Sequence, residues 1–393
     1  MAGITSKLWR PLKIGHVQLG HRVAMPALSR HRADNESRVQ DIVKEYFAQR
    51  SSSGGLLISD ATQISPGAGG AAHAPGIWND EQIAAWKNVT DAVHARGAKM
   101  FCQLWHTGRT GDAERLRFHG RKLMSSSAVP LDLTDHSAQP VPEEMTERDI
   151  WNTVSEYAVA AHNAVFKAGF DGVEIHGGNG YLPDQFLQDT CNNRTDGWGG
   201  SIPKRARFHL EVTKAVANEV GANRTAVRLT PHGVFHSMGM ADAVPQFAYL
   251  VGELRHLGLA YLSLVEPRGT GLNATDKRRW APNGVLVEIW QNTSPVILAG
   301  GFTQDSAQEA VDTVYKDYDV VIAFGRHFIS TPDLAFRFRN GLEFNPYDRT
   351  TFYKPPTEKG YLDYNYSVAY RAEMSKGNVE GVKPFLPNAS SVA

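Results

Sequence analysis

Residues 172–186, Gly-Val-Glu-Ile-His-Gly-Gly-Asn-Gly-Tyr-Leu-Pro-Asp-Gln-Phe, decide how the rest of the chain is read. Gly172 to Ile175 is a short apolar run, too brief for a helix and suited to a strand buried on both faces of a parallel sheet. Where it stops come His176, Asn179 and Tyr181, separated by glycines at 177, 178 and 180. Glycine lets backbone turn sharply and approach a flat ligand, so three polar side chains can converge. An imidazole and an amide three residues apart can grip one carbonyl oxygen, and a phenol two residues on can deliver a proton. Alone, the stretch is equally a strand-to-helix loop whose polar groups satisfy the backbone.

Working outward, short apolar runs alternate with longer amphipathic ones. Strands are expected at Arg22–Met25, Leu56–Ile58, Lys99–Leu104, Gly172–Ile175, Thr225–Leu229, Ala260–Leu264, Pro295–Leu298 and Asp319–Ala323. In Asp149–Phe170 the apolar positions Ile150, Val154, Tyr157, Ala158, Ala161, Val165 and Ala168 keep the spacing of one buried helix face. Asn79 with Gln82 forms a plausible cap pair for a helix ending near Gly97. Strand–helix alternation repeated eight times predicts an α/β fold, the (β/α)₈ TIM barrel. A doubly wound sheet would need a phosphate-binding glycine turn after its first strand, and MPALSRHRA has none. Residues before Arg22 (PLKIGHVQLG) read as a hairpin capping the barrel bottom. Residues 108–146 read as a Pro/Ser-rich insertion after the third strand, a candidate wall at the catalytic mouth. The division expected is one barrel domain, 1–375, and a loosely held tail, 376–393.

Composition narrows the function. Of 393 residues, 41 are basic and 41 acidic, which gives no electrostatic case for nucleic acid or an anionic membrane surface. The two cysteines, Cys102 and Cys191, exclude a disulfide framework, and no CxxC or histidine spacing points to a metal. The N-terminus lacks the apolar core of a signal peptide, and no run approaches a membrane span, so a cytoplasmic protein is expected.

In such a barrel, residues at the C-terminal strand ends carry binding and catalysis. Those ends hold Pro26, Ala27 and Ser29, then Ala61, then Gln103, Trp105 and His106, the His176 group, Arg228, Gly300-Gly301 and Gly325-Arg326. With QLWHTGR at 103–109, GVEIHGGNGYLPDQFL at 172–187, NRTDGWGGSIPKRARF at 193–208, VRLTP at 227–231 and FGRHFISTPDL at 324–334, the sequence resembles the old yellow enzyme family, as a fungal-like member. The resemblance runs over nearly the whole chain.

The resemblance implies an NADPH-dependent ene-reductase with non-covalently bound FMN across the barrel mouth. Gln103 would meet the flavin pyrimidine edge and Arg228 its N1 and O2. Ser29 would bond O4, beside Pro26 and Ala27, and Ala61 would leave room next to the ring. Gly300, Gly301, Gly325 and Arg326 would present backbone N–H groups to the phosphate. His176 and Asn179 would hold the carbonyl of an α,β-unsaturated substrate. Hydride would pass from flavin N5 to the β-carbon, and Tyr181 would protonate the α-carbon. Trp105 would line the pocket, Tyr353 would close it from the side, and His106 would touch its rim. The 193–208 segment reads as mainly structural, with the charged Arg194, Asp196, Arg205 and Arg207 pairing there. The working form would be a monomer or homodimer.

Two departures stand out. The first strand usually leads into APLT or APMT, whereas this chain has Pro26-Ala27-Leu28-Ser29. Ala71 stands where many relatives place a tyrosine, which should open the pocket to bulkier substrates. Intact Tyr181 favours net reduction over isomerisation, and the lack of a cysteine cluster separates the chain from flavin/iron–sulfur dienoyl reductases. Alternatives are a specialised biosynthetic flavoenzyme of the same family (oxidation, isomerisation or reduction-coupled cyclisation), a (β/α)₈ hydrolase with His176 as base, and an idle flavin binder.

Overall fold

The computed structural model describes residues 6–132, 137–267, 283–354 and 357–376. Eight parallel strands close into a barrel: β1 (Val23–Met25), β2 (Leu56–Gln63), β3 (Lys99–Trp105), β4 (Gly172–His176), β5 (Thr225–Leu229), β6 (Tyr261–Val265), β7 (Val296–Ala299) and β8 (Val320–Ala323). Each pairs with its neighbours in sequence and β8 returns to β1, so no edge is left to pair with another chain. All eight expected strands are present, with ends shifted by a residue or two in most.

β2 is the exception. It runs to Gln63, through Ser59-Asp60-Ala61-Thr62, which read as the strand's polar end. Its register against β3 shifts between Ile58 and Ala61, as a β-bulge does. Several of the buried polar groups are met locally: Gln103 N donates to Ser59 Oγ at 2.9 Å, and Arg30 N to Asp60 Oδ2 at 3.1 Å.

The hairpin Leu12–Ile14/Val17–Leu19 closes the barrel bottom, its four apolar side chains clustering with Ala24, Leu56, Phe101 and Ala226. Its turn needs Gly15: φ is +54° and a Cβ would meet Asn223 O at 2.0 Å. Helices pack outside by the expected periodicity. Asn79 caps Asp80–His94 by accepting from Gln82 N, and Ile83, Trp86, Val89 and Val93 face the strands. The helix expected over 149–170 starts earlier, at Glu147, because Thr146 and Asp149 form a capping box. It ends in a π-helical turn, Asn163–Lys167, where the Asn163 amide donates to Ile77 O.

In the 193–208 segment Arg194 pairs with Asp196 at 2.6 Å as expected. Arg205 instead reaches Asp189, outside the segment, at 3.9 Å, and Arg207 lies 4.0 Å over the ring of Trp198, inside it. Of the expected tail, only Lys376 lies among the described residues.

Candidate active site

The cavity at the C-terminal mouth of the barrel measures about 750 Å³, within the roughly 300–1,000 Å³ usual for cofactor and substrate sites. Its lining includes Pro26, Ala27, Ser29, Ala71, Gln103, Trp105, His176, Asn179, Tyr181, Arg228, Gly300, Gly301, Gly325, Arg326 and Tyr353. Ala61 is the expected residue that does not line it. Past the bulge in β2, Ala61 pairs in register with Gln103 and packs against Trp105 and Ala74, beside the lining. His106 is also off the rim: it is buried, and its Nδ1 accepts from Gly108 N at 3.0 Å.

β4 and its loop supply the reactive wall. Gly177 N continues the ladder to Arg228 O at 2.9 Å, and a Cβ at 177 would collide with His209 Nε2 at 2.0 Å. Asn179 takes φ +57°, its N–H donating to Thr230 Oγ1 at 2.7 Å. Gly180 N donates to the buried Asp184 carboxylate at 2.9 Å, and the Gln185 amide donates to Gly180 O and Thr107 O, tying the β4 loop to the β3 loop. Tyr181 then begins the helix Leu182–Leu187 with its ring edge-on to both His176 (4.7 Å) and Trp105 (5.0 Å).

Burial sets the charge state of this wall. His176 is held well below the usual histidine pKa by desolvation first, then by the Arg228 charge, so its imidazole is neutral at pH 7. Its Nδ1 is buried without a hydrogen-bond partner among the described residues. Tyr181 is pushed up to about 12 by burial, with Tyr353 adding to the effect, so the phenol keeps its proton.

The floor is a polar chain. Gln103 Nε2 donates to Glu174 Oε1 at 2.7 Å, and Tyr261 OH donates to Glu174 Oε2 at 3.0 Å. A carboxylate only accepts, so the Gln103 amide must present nitrogen to Glu174, leaving its carbonyl oxygen as the free acceptor. Glu174 was not singled out in the sequence; its burial inside an apolar strand run was the available signal. Arg228, on the other side of β4, donates to Ala27 O at 3.3 Å and has a buried, partnerless Nε.

At the opposite end, Gly300 (φ +136°) and Gly301 (φ +75°) follow β7. A Cβ at 300 would sit 2.7 Å from Glu266 Cβ, so only glycine fits. The N–H groups of Gly301, Gly325 and Arg326 donate to no other described residue. The Arg326 guanidinium is steadied by the Tyr347 hydroxyl at 3.2 Å. Tyr353 borders the cavity but is 70% exposed, standing edge-on to His31. Of the insertion, Thr110 reaches the lining. His236 and Phe235, in the loop after β5, line the cavity too and were not anticipated.

Unpaired amide N–H groups at one end, and an acceptor oxygen beside a fixed guanidinium at the other, suit a flat heterocycle carrying a phosphate. The barrel is thus of the flavin-binding oxidoreductase class. The pattern of the NADH:flavin oxidoreductase / NADH oxidase family matches residues 7–345, and the chain belongs to that family, the old yellow enzymes, whose cofactor is FMN. It is similar to the NADP-dependent oxidoreductase lnbE of Aspergillus flavus, 50% identical over 369 residues (92% of this chain, 97% of that protein). It is also similar to the chanoclavine-I aldehyde reductase fgaOx3 of Penicillium roqueforti, 49% identical over 371 residues (93% and 98%). The crystal structure of old yellow enzyme from Pichia sp. AKU4542 superposes with a TM-score of 0.86 at 34% identity, covering 99% of this chain and 97% of that one. No helix of the described residues is long and apolar enough to cross a membrane.

Proposed function

We propose that the chain is an NADPH-dependent ene-reductase acting on α,β-unsaturated carbonyl compounds. The observation that carries this is the convergence of a neutral His176, Asn179 and a protonated Tyr181 on one wall of the cavity. Gly300, Gly301, Gly325 and Arg326 would hold the phosphate of FMN, Gln103 and Arg228 its pyrimidine edge, and Pro26, Ala27 and Ser29 the ring side facing β1. When bound, FMN supplies the hydride that it takes from NADPH.

The protein's own residues do the rest. His176 and Asn179 donate hydrogen bonds to the substrate carbonyl oxygen, which draws electron density from the alkene. A neutral imidazole does this without protonating the oxygen outright, and in a buried site such bonds are stronger than in water. Tyr181 holds the proton for the α-carbon; its raised pKa keeps that proton in place until carbanion character develops beside it. Arg228 stabilises negative charge gathered at its end of the cavity. Trp105 and Tyr181 fix the aromatic wall that orients the alkene.

A specialised biosynthetic role within the same chemistry is favoured by the relatives, of which two are described as chanoclavine-I aldehyde reductases. Product analysis separates the readings. With NADPH and an enal such as cinnamaldehyde, alkene reduction yields the saturated aldehyde. An allylic alcohol would mean that the carbonyl is reduced instead, and an isomer with no net NADPH use would mean a redox-neutral enzyme.

A further inference from the structure

The loop after β5 holds two successive non-glycine residues in the left-handed region, His236 (φ 56°) and Ser237 (φ 61°). Such backbone is sparsely populated and persists where its surroundings over-determine it, often at functional sites. Here the Arg109 Nη2 donates to His236 O at 3.0 Å. Ser237 Oγ donates to Asp132 O at 2.7 Å and accepts from Asp132 N at 2.9 Å. Gln188 Oε1 accepts from Gly239 N at 3.0 Å and Met240 N at 3.3 Å. The product of these restraints is an imidazole on the cavity wall, 5.3 Å from the Tyr181 ring.

The two ring nitrogens are not equivalent. His236 Nδ1 lies 2.8 Å from the backbone oxygen of Asn179. A carbonyl oxygen only accepts, so Nδ1 carries the hydrogen and, in the neutral ring, Nε2 bears the lone pair. Burial first, then the Arg109 charge, holds the ring below the usual histidine pKa, against the pull of the Asn179 carbonyl. Nε2 bonds to no described residue. The neighbouring wall is rich in donors: the Asn179 amide, the Tyr181 phenol, the Arg228 guanidinium and the buried Trp105 Nε1. His236 lines the same cavity as an acceptor.

We propose that His236 is a specificity-determining residue: Nε2 accepts a hydrogen bond from a hydroxyl or amine N–H that the alkene substrate carries apart from its conjugated carbonyl. The enzyme therefore favours donor-bearing enones and enals over the same skeleton with the donor capped. This rests on the reading of His176, Asn179 and Tyr181 as the reducing wall. The Nδ1 side of the same ring positions Asn179, a separate task that a test must hold apart.

Two amide substitutions do so. In His236→Asn the side-chain nitrogen falls near Nδ1, so the bond to Asn179 is kept, Nε2 is lost, and asparagine tolerates the left-handed backbone. In His236→Gln the amide reaches the Nε2 position and gives up the Nδ1 one. The measurement is kcat/KM of the FMN-loaded enzymes for 2-cyclohexenones hydroxylated at C4, C5 or C6, each against its methyl ether. Wild type is expected to favour at least one alcohol roughly tenfold, the scale of one net hydrogen bond. His236→Asn should bring that ratio close to one, and His236→Gln should retain most of it. Wild type with no alcohol preference in any pair overturns the inference without recourse to variants, and so does a preference that His236→Asn leaves intact. If wild type reduces none of the enones although NADPH bleaches its flavin, the ene-reductase reading fails, and the inference with it.

Discussion

His176 and Arg228 are register partners on adjacent strands, β4 and β5, and both line the cavity. A fixed cation beside a buried imidazole discourages protonation of the imidazole, which desolvation already opposes. One residue therefore stays neutral to hydrogen-bond a carbonyl, while the other keeps the charge an electron-rich ring needs. Arg228→Met removes the charge and keeps much of the side-chain volume. FMN affinity should fall roughly 10–100-fold, the range for losing a charge-assisted bond. Fluorescence titration of the apoprotein with FMN checks this, and an unchanged affinity would remove Arg228 from the flavin site.

Tyr181→Phe tests the proton donor. The ring contacts to His176 and Trp105 survive, and the hydroxyl alone is lost. Flavin reduction by NADPH should stay nearly intact while alkene reduction slows roughly 10²–10⁴-fold. Stopped-flow measurement of the two half-reactions distinguishes them; equal slowing of both would rule out this role.

Ala71 packs on the small apolar cluster of Ala61, Ala74 and Trp105, with Tyr181 alongside. A tyrosine there would project into the mouth of the cavity. Ala71→Tyr should lower kcat/KM for large, ring-substituted enones by about tenfold or more, and far less for 2-cyclohexenone. Equal turnover of large enones by both enzymes would show that Ala71 does not set the pocket's size.

Asp184 lies buried under the catalytic loop, accepting from Gly180 N and Gln188 Nε2. Desolvation raises its pKa from 3.8 to about 6, against the pull of those bonds and of Arg109. The folded state thus binds a proton more tightly than the unfolded one. Stability from this group is fully present below the unfolded value of 3.8 and is lost as pH rises through about 6. Relative to Asp184→Asn, wild type should therefore gain roughly 1 kcal/mol between pH 7 and pH 5. Denaturant unfolding at the two pH values gives the difference, and a gap independent of pH would mean an unshifted carboxyl.

Much of this was legible in the sequence, for physical reasons. Strands buried on both faces read as apolar runs, so Val296–Ala299 and Val320–Ala323 announce themselves. The His176–Tyr181 group shares one loop, so its convergence follows from local glycines. His236 was missed because its position depends on partners far along the chain, Arg109 and Asn179, and nothing nearby signals them. Its place just beyond the C-terminal end of β5 was the available clue. The bulge in β2 was not legible, because one extra residue in a strand leaves no mark on composition. Arg207 was assigned to a carboxylate, where an aromatic face serves a half-buried guanidinium as well.

The central claim is most directly tested by an anaerobic titration of the purified protein, followed in the visible spectrum. The protein is expected to be yellow, with a flavin band that bleaches with NADPH and returns when 2-cyclohexenone is added under continued exclusion of oxygen. A band that bleaches but returns only with oxygen, or a colourless protein that cannot be reconstituted with FMN, would contradict it.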